Sequence, residues 1–220
     1  MADIHTSAAA VFKPSNALSK VGPSAISRMM AATAELSRQG RDIVGLHVGE
    51  PDFDTPENIQ EAAIKAIKEG RASKYTQVDG IAELKQAVAA KFKRENGLDY
   101  KLDEIIVCTG AKQAIFGALT ATLEPDDEVI VPAPYYLGYF DITQLCGGNP
   151  VPARTLAEDG FKLRPAALEE VITPRTRWLV LNSPSNPTGA VLSRAEIDAI
   201  GEVCIAHDLW IVADEVYADM

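Results

Sequence analysis

The residues of this sequence that could carry out chemistry stand after short apolar runs. Asn186 comes five residues after the run Trp178-Leu179-Val180-Leu181. Asp214 directly follows Trp210-Ile211-Val212-Ala213, and Tyr217 comes three residues later. An amide and a phenol can hydrogen-bond a ring oxygen, and a carboxylate can keep a ring nitrogen protonated. Taken alone, each residue is an ordinary turn, cap or core position, but together they predict a flat, polar ligand.

Two further apolar runs are followed by residues that suit the same ligand. Ile105-Ile106-Val107-Cys108 precedes the turn Thr109-Gly110-Ala111-Lys112-Gln113, where a helix is predicted to begin. The backbone N–H groups of such a turn and the positive end of the helix dipole favour an anion. Val129-Ile130-Val131 precedes Pro132-Ala133-Pro134-Tyr135-Tyr136, which offers an aromatic ring for stacking. The four stretches therefore predict a ligand that has both a phosphate and a flat ring.

The apolar runs themselves indicate the elements that position these residues. They lack the alternation of a half-exposed strand, which is typical of parallel strands buried on both faces. Helices are predicted between them, at residues 112–123, 135–146, 165–172 and 194–207. Upstream, the pattern predicts helices at 24–39, after Pro56 and after Gly80, and a strand at 43–48. This is an α/β architecture with a mainly parallel sheet, in which ligands bind beyond the carboxyl ends of the strands.

The loop at residues 182–189 is predicted to be stiff as well as polar. Ser183 and Asn186 each precede a proline, which pushes both of them out of the helical region. Pro184 and Pro187 have a fixed φ and no N–H to donate. Such a loop can hold the Asn186 amide in one place.

Composition and charge exclude several classes of protein. The chain has 220 residues, of which 47% are apolar and 24% charged, as is typical of a globular protein. Its formal net charge of -10 argues against nucleic acid or an anionic membrane as a partner. Cys108, Cys146 and Cys204 form no Cys-x-x-Cys pair, which favours buried thiols in a reducing, cytoplasmic compartment over disulfides or metal ligands. No stretch reaches membrane-spanning length, and a transit peptide within residues 1–41 is the weaker alternative to an N-terminal arm.

In order along the chain, several spaced motifs resemble those of the class I aminotransferases. These are fold type I enzymes of pyridoxal 5′-phosphate (PLP), and the bacterial aspartate aminotransferases are the most similar branch. The motifs are Val48-Gly49-Glu50-Pro51-Asp52-Phe53, Lys74-Tyr75-Thr76, Thr109-Gly110-Ala111-Lys112-Gln113, Pro134-Tyr135-Tyr136, residues 182–189 and Asp214-Glu215-Val216-Tyr217. The resemblance implies a three-layer α/β/α large domain at 49–220, incomplete at its C-terminus, after an arm and part of a small domain at 1–48. It also implies cis peptide bonds before Pro134 and Pro187.

For the cofactor, the resemblance implies contacts that match the predicted ligand. Backbone N–H groups of Gly110, Ala111 and Lys112 would hold the PLP phosphate. Tyr136, at the position of the family's stacking aromatic, would lie on the pyridine ring. Tyr75 would reach the phosphate of a partner subunit, so a homodimer is implied.

The resemblance also assigns the contacts to the ring and to the substrate. Asn186 and Tyr217 would hydrogen-bond the ring oxygen O3′, and Asp214 would pair with the ring nitrogen. A ring protonated in this way withdraws electrons from the substrate Cα, so Asp214 and Tyr217 are the expected catalytic side chains. Gly49 would approach the substrate carboxylate with its backbone, and Asn186 would also border the substrate. The implied reaction moves an amino group between an amino acid and a 2-oxo acid by ping-pong chemistry.

The resemblance places the Schiff-base lysine and the arginine that clamps the substrate carboxylate after the position matched by Tyr217. Neither is expected within these 220 residues, so the chain is interpreted as the N-terminal part of a longer enzyme and as inactive alone. Its expected partners are the C-terminal half of that enzyme, a second subunit and the two small-molecule substrates. Aspartate is the nearest expected substrate, because Lys112 could add positive charge near a second carboxylate. Aromatic, alanine and broad-specificity aminotransferases share the motifs, as do some PLP-dependent lyases, so these alternatives stay open. A non-catalytic module that binds PLP or a partner chain is the alternative.

Overall fold

The computed structural model describes residues 13–22, 24–71 and 73–219, which fall into two compact units. The sheet unit takes in the described residues of Met1–Gly22 and Ile115–Met220, and the N-terminal unit those of Pro23–Ala114. Helices α1 to α8 span Asn16–Ser19, Ala25–Arg38, Glu57–Lys68, Ala82–Lys91, Ala111–Thr122, Leu137–Leu145, Pro165–Glu169 and Arg194–Ala206. The implied domain boundary between residues 48 and 49 stays a prediction.

The sheet unit is built on parallel strands. Strands β1 to β4 span Glu128–Ala133, Asn149–Arg154, Thr176–Asn182 and Trp210–Asp214. They lie in the order β2-β1-β3-β4, and each neighbouring pair is parallel. The apolar runs at 129–131, 178–181 and 210–213 lie within β1, β3 and β4, so the predicted parallel sheet is confirmed for these strands.

Helices cover both faces of this sheet. Successive side chains of a strand point to opposite faces, and β1 and β3 use both faces for apolar packing. On one face, Ile130 and Leu179 pack with Leu168 of α7 and Ile200 of α8. On the other face, α5 and α6 supply the packing partners of the strands, and the residues of this second core are Ile115, Leu119, Val129, Val131, Tyr139, Ile142, Trp178 and Val180. The three-layer α/β/α arrangement implied by the resemblance is therefore confirmed.

Strand β2 was not among the sequence predictions. Its residues Pro150 and Pro152 cannot donate a backbone hydrogen bond, and prolines normally argue against a strand. In the sheet order, β2 pairs with β1 and with no other described strand. A proline is tolerated in a strand that has only one neighbour, because the missing N–H then costs no ladder bond.

Both strand predictions for the N-terminal unit are wrong. Residues 43–48 and residues 105–108 adopt no regular structure, and neither run belongs to a sheet among the described residues. In the second run, the Val107 N–H instead donates to the carbonyl of Asp79 at 2.9 Å. An apolar run becomes a strand only where a neighbouring backbone completes its ladder, so composition alone gave the wrong prediction here.

The helices predicted in the N-terminal unit are confirmed. Helices α2, α3 and α4 occupy the predicted stretches, and α4 continues into a π-helical turn, Phe92–Asn96. That turn ends at Gly97, whose φ of 68° lies in the left-handed region that glycine adopts most readily. Lys85 is buried against the carboxylate of Asp79, which compensates its charge.

The start of α8 carries the capping box that the sequence predicts. The Glu196 N–H donates to Ser193 Oγ at 3.3 Å, and the Ser193 N–H donates to Glu196 Oε2 at 2.6 Å. Lys162 Nζ lies 2.9 Å from the same carboxylate. The bond from the Ser193 backbone, followed by that from Lys162, lowers the pKa of Glu196 from 4.5 to about 2.

We expect this carboxylate to make stability depend on pH. Because the folded pKa is the lower one, its contribution is complete above pH 4.5 and is lost as the pH falls toward about 2. Glu196→Gln keeps a hydrogen-bonding side chain but removes the charge, so its urea midpoint should lie below that of the wild type at pH 7 and approach it at pH 3. Glu202→Gln, in the same helix but outside the capping box, is the control. Equal pH profiles for the two variants would contradict the expectation.

Candidate active site

The carboxyl ends of β3 and β4 hold two polar residues side by side. Asn182 and Asp214 are the last residues of their strands and are partners in the parallel register. The Asn182 side-chain amide Nδ2 donates to the Asp214 main-chain carbonyl at 2.9 Å. Its Oδ1 accepts from the Asn186 main-chain N–H at 2.7 Å. The amide of Asn182 therefore ties the polar loop to the end of β4.

The structure brings together two of the side chains that were predicted for the site. Asn186 Nδ2 donates to the Tyr217 hydroxyl oxygen at 3.0 Å. The Tyr217 hydroxyl thus keeps its own proton, which it can donate to a further acceptor.

The peptide bonds before Pro134 and Pro187 are cis, which confirms both expectations, and the bond before Pro184 is also cis, which was not predicted.

A tyrosine that sequence reasoning missed contacts the Asp214 carboxylate. The hydroxyl of Tyr139 donates to Asp214 Oδ2 at 2.7 Å. The other carboxylate oxygen, Oδ1, accepts only a long bond of 3.3 Å from the Val216 N–H among the hydrogen bonds of the described residues. Oδ1 therefore retains the capacity to accept a stronger bond from a ligand.

The environment keeps Tyr139 in its neutral form. Tyr139 lies in α6 and its side chain is buried in the core. This burial raises the pKa of the phenol well above its ordinary value. The hydrogen bond to Asp214 and the charge of that carboxylate raise the pKa of Tyr139 further. A phenol that is held neutral in this way can donate its proton to Asp214. The position of Tyr139, one helical turn after Tyr136, was the sequence signal that could have found it.

Tyr136 lies at the N-terminus of α6, beside Tyr139. Their rings meet edge to face with centroids 5.5 Å apart, an arrangement that aromatic pairs prefer. Gly138 allows this placement, because a Cβ atom at that position would overlap the Tyr136 ring. The predicted stacking residue therefore stands on the helix that also carries the Asp214 contact.

The other predicted site residues, Gly49, Tyr75, Gly110, Ala111 and Lys112, belong to the N-terminal unit. Gly110 has a φ of +85° in the turn before α5, and the helix begins at Ala111 as predicted. Lys112 is the second residue of that helix. Gly49 lies in an irregular segment, and the Tyr75 side chain is fully exposed. The roles expected for these five residues stay predictions.

The charges and donors of the sheet unit define what it could bind. One carboxylate, one phenol with a free proton and one aromatic ring stand around the strand ends. Such a set suits a flat ring that has a protonated nitrogen on one side and an anionic oxygen on the other.

No cluster of three His, Cys, Asp or Glu side chains that could hold a metal occurs in the part of the chain that the structure describes. No helix within residues 13–22, 24–71 and 73–219 has the length and apolar character needed to cross a membrane.

The sheet unit is an α/β domain in which the candidate ligand-binding side chains follow the parallel strands. The chain belongs to the family described as aminotransferase class I and II, whose family model matches residues 41–220. The resemblance seen in the motifs is thereby confirmed. Members of this family depend on PLP.

Individual relatives agree with the family assignment. The chain is 52% identical over 204 residues to the aspartate/prephenate aminotransferase of Cereibacter sphaeroides, covering 92% of this chain and 51% of that protein. The solved aspartate aminotransferase of Rhizobium meliloti is 48% identical, with a TM-score of 0.90 over 94% of this chain and 52% of that one. That of Thermus thermophilus, solved with maleate, is 45% identical, with a TM-score of 0.89 over 94% and 54%. The chain spans about half the length of the curated relatives it matches.

Proposed function

We propose that this chain belongs to a PLP-dependent aminotransferase that transfers the amino group of an acidic amino acid to a 2-oxo acid. The observation that carries the proposal is the hydrogen-bonded set at the strand ends, in which Tyr139, Asp214, Asn182, Asn186 and Tyr217 are joined in sequence. When bound, PLP supplies a pyridine ring that accepts electrons from the substrate Cα.

Asp214 is the residue that would strengthen the withdrawal of electrons by this ring. Its Oδ1 is open to a strong donor, and an ionised carboxylate there favours a proton on the ring nitrogen. Tyr139 donates to Oδ2 and thereby fixes the orientation of the Asp214 carboxylate. The pair holds a negative charge at a half-buried position, where water screens it less than at the surface.

Asn186, Tyr217 and Tyr136 complete the contacts to the ring. The Tyr217 proton, aimed by the bond from Asn186, suits the anionic ring oxygen O3′. Tyr136 would stack on the ring face, and Asn186 would also border the substrate. These donors and the carboxylate match the polarity of PLP at each position, so the residues present fit the cofactor.

The N-terminal unit would supply the phosphate and substrate contacts. The positive end of the α5 dipole suits a phosphate at Gly110, Ala111 and Lys112, where the helix begins. The Gly110 N–H donates to the Cys108 carbonyl at 2.9 Å and would have to exchange that acceptor for the phosphate. The exposed Tyr75 would reach the cofactor phosphate of a second subunit, so a homodimer is part of the proposal. Gly49 would approach the substrate carboxylate, because a glycine allows close backbone contact.

An acidic substrate is supported by the relatives. The curated relatives are named aspartate or aspartate/prephenate aminotransferases, and the Thermus thermophilus enzyme was solved with maleate, a dicarboxylate. Lys112 carries a positive charge that could face a second carboxylate. The Schiff-base lysine of the family is expected after Tyr217, so the proposal concerns the whole protein and its reaction.

The test uses the protein expressed from its whole reading frame. Equilibrium dialysis should show that PLP binds, and the protein should then convert aspartate and 2-oxoglutarate into oxaloacetate and glutamate. Alanine, which lacks the second carboxylate, should react at least about tenfold more slowly, since a charge-assisted bond contributes about 1.5–3 kcal/mol. Absence of PLP binding would overturn the proposed function. Binding with a preference for alanine would overturn only the choice of substrate.

A further inference from the structure

Asn182 stands where the backbone ladder between β3 and β4 ends. Its pairing with Asp214 is the last rung of that ladder. Beyond it, the Asn182 side chain continues the connection through two hydrogen bonds, at 2.9 Å to the Asp214 carbonyl and at 2.7 Å from the Asn186 N–H. A single amide thus joins two chain segments that the backbone no longer holds together.

The two partners leave this amide one possible orientation. A main-chain carbonyl can only accept a hydrogen bond, and a main-chain N–H can only donate one. The Asn182 nitrogen must therefore face Asp214, and its oxygen must face Asn186. Aspartate could accept from Asn186 but could not donate to Asp214, and alanine could do neither. Asparagine meets both requirements at this position.

We propose that Asn182 is a positioning residue that sets the spacing between the two ring contacts of the cofactor site. This inference rests on the proposed function, in which Asp214 meets the ring nitrogen and Asn186 meets the ring oxygen with Tyr217. The nitrogen and the oxygen of a rigid ring are a fixed distance apart, so both contacts form at full strength only if their two segments are held in register. Asn182 bonds the main chain of each contact residue and so holds that register.

The test compares three ligands in each variant of the whole protein. The ligands are PLP, its analogue with carbon in place of the ring nitrogen, and its analogue without the ring hydroxyl. The ratio of dissociation constants for the first analogue and PLP reports the Asp214 contact, and the ratio for the second analogue reports the Asn186 and Tyr217 contact. Because each preference is a ratio within one variant, a general loss of affinity or stability cancels.

In Asn182→Ala, we expect each preference to fall about five- to tenfold, which is the effect of misaligning one hydrogen bond per contact. Asn182→Asp keeps the acceptor for the Asn186 N–H and loses the donor to Asp214. It should therefore lose the preference for the ring nitrogen and retain most of the preference for the ring hydroxyl. If the alanine variant does not fold, the aspartate variant still decides the question.

A matched control lies in the same loop. The Ser183 hydroxyl accepts from the Leu192 N–H at 3.0 Å and has no bond to Asp214 or Asn186 among the described contacts. Ser183→Ala should leave both preferences at the wild-type values. Wild-type preferences in Asn182→Ala, with weaker binding of all three ligands alike, would overturn the inference and leave the proposed function intact. A wild type that does not bind PLP would instead overturn the proposed function.

Discussion

Replacing Asp214 with asparagine is expected to lower the transamination rate of the whole protein about 10²–10³-fold at saturating PLP, the usual effect of removing one preorganised electrostatic group from an active site. The amide has the shape of the carboxylate and can still accept a hydrogen bond from Tyr139. It has no negative charge, so it cannot favour a proton on the ring nitrogen. The loss should therefore appear in the turnover rate, with the fold intact.

The measurement is the turnover number with aspartate and 2-oxoglutarate, together with the dissociation constant for PLP. Asp198→Asn is the matched control, because Asp198 is an exposed residue of α8 that pairs only with Arg194 among the described ion pairs. It should change neither quantity by more than about twofold, as is usual for surface substitutions. A turnover number in Asp214→Asn within threefold of the wild type would show that Asp214 does not control the protonation of the ring nitrogen. The role proposed for Asp214 would then be wrong.

The predictable part of the fold follows from burial. The runs in β1 and β3 could be recognised because strands covered on both faces must be apolar at every position. Strand β4 was recognised from the same pattern, but its Trp210 and Ile211 are exposed, so the burial on both faces that the pattern predicts is not met there. Strand β2 could not be recognised, since Pro150 and Pro152 read as loop residues unless the single neighbour of β2 is already known. Residues 105–108 show the opposite failure, because an apolar run there does not find a partner strand among the described residues.

The predictable part of the site follows from position along the chain. Asn186, Asp214 and Tyr217 could be named because each follows an apolar run, and the resemblance then supplied their roles. The contact between Tyr139 and Asp214 joins residues 75 positions apart, and no local pattern encodes it. The two bonds of Asn182 were equally invisible, because they depend on the register in which β3 and β4 pair. Sequence therefore predicted the side chains that are proposed to contact the ligand, and the hydrogen bonds that support these side chains became visible only in the structure.

Support for the site extends into the core through β3, at Leu179. Its side chain is completely buried, and it belongs to the same apolar core as Ile130, Leu168 and Ile200. Leu179 also pairs with Ile211 in the register of β3 and β4. The strand that carries Leu179 ends at Asn182, so the core and the polar site share one element.

Leu179→Ala is accordingly expected to reduce the free energy of unfolding by about 2–5 kcal/mol, through lost apolar burial and the cavity that close-packed neighbours cannot fill. Ile205→Ala is the matched control, because Ile205 of α8 is 83% exposed and its truncation should change stability by no more than about 0.5 kcal/mol. Urea denaturation followed by circular dichroism measures both values. A loss below about 1 kcal/mol in Leu179→Ala would mean that β3 does not form the centre of the core. With the expected loss, the variant should also bind PLP more weakly in proportion to its unfolded fraction, because the contacts after Asn182 form only when β3 is in place.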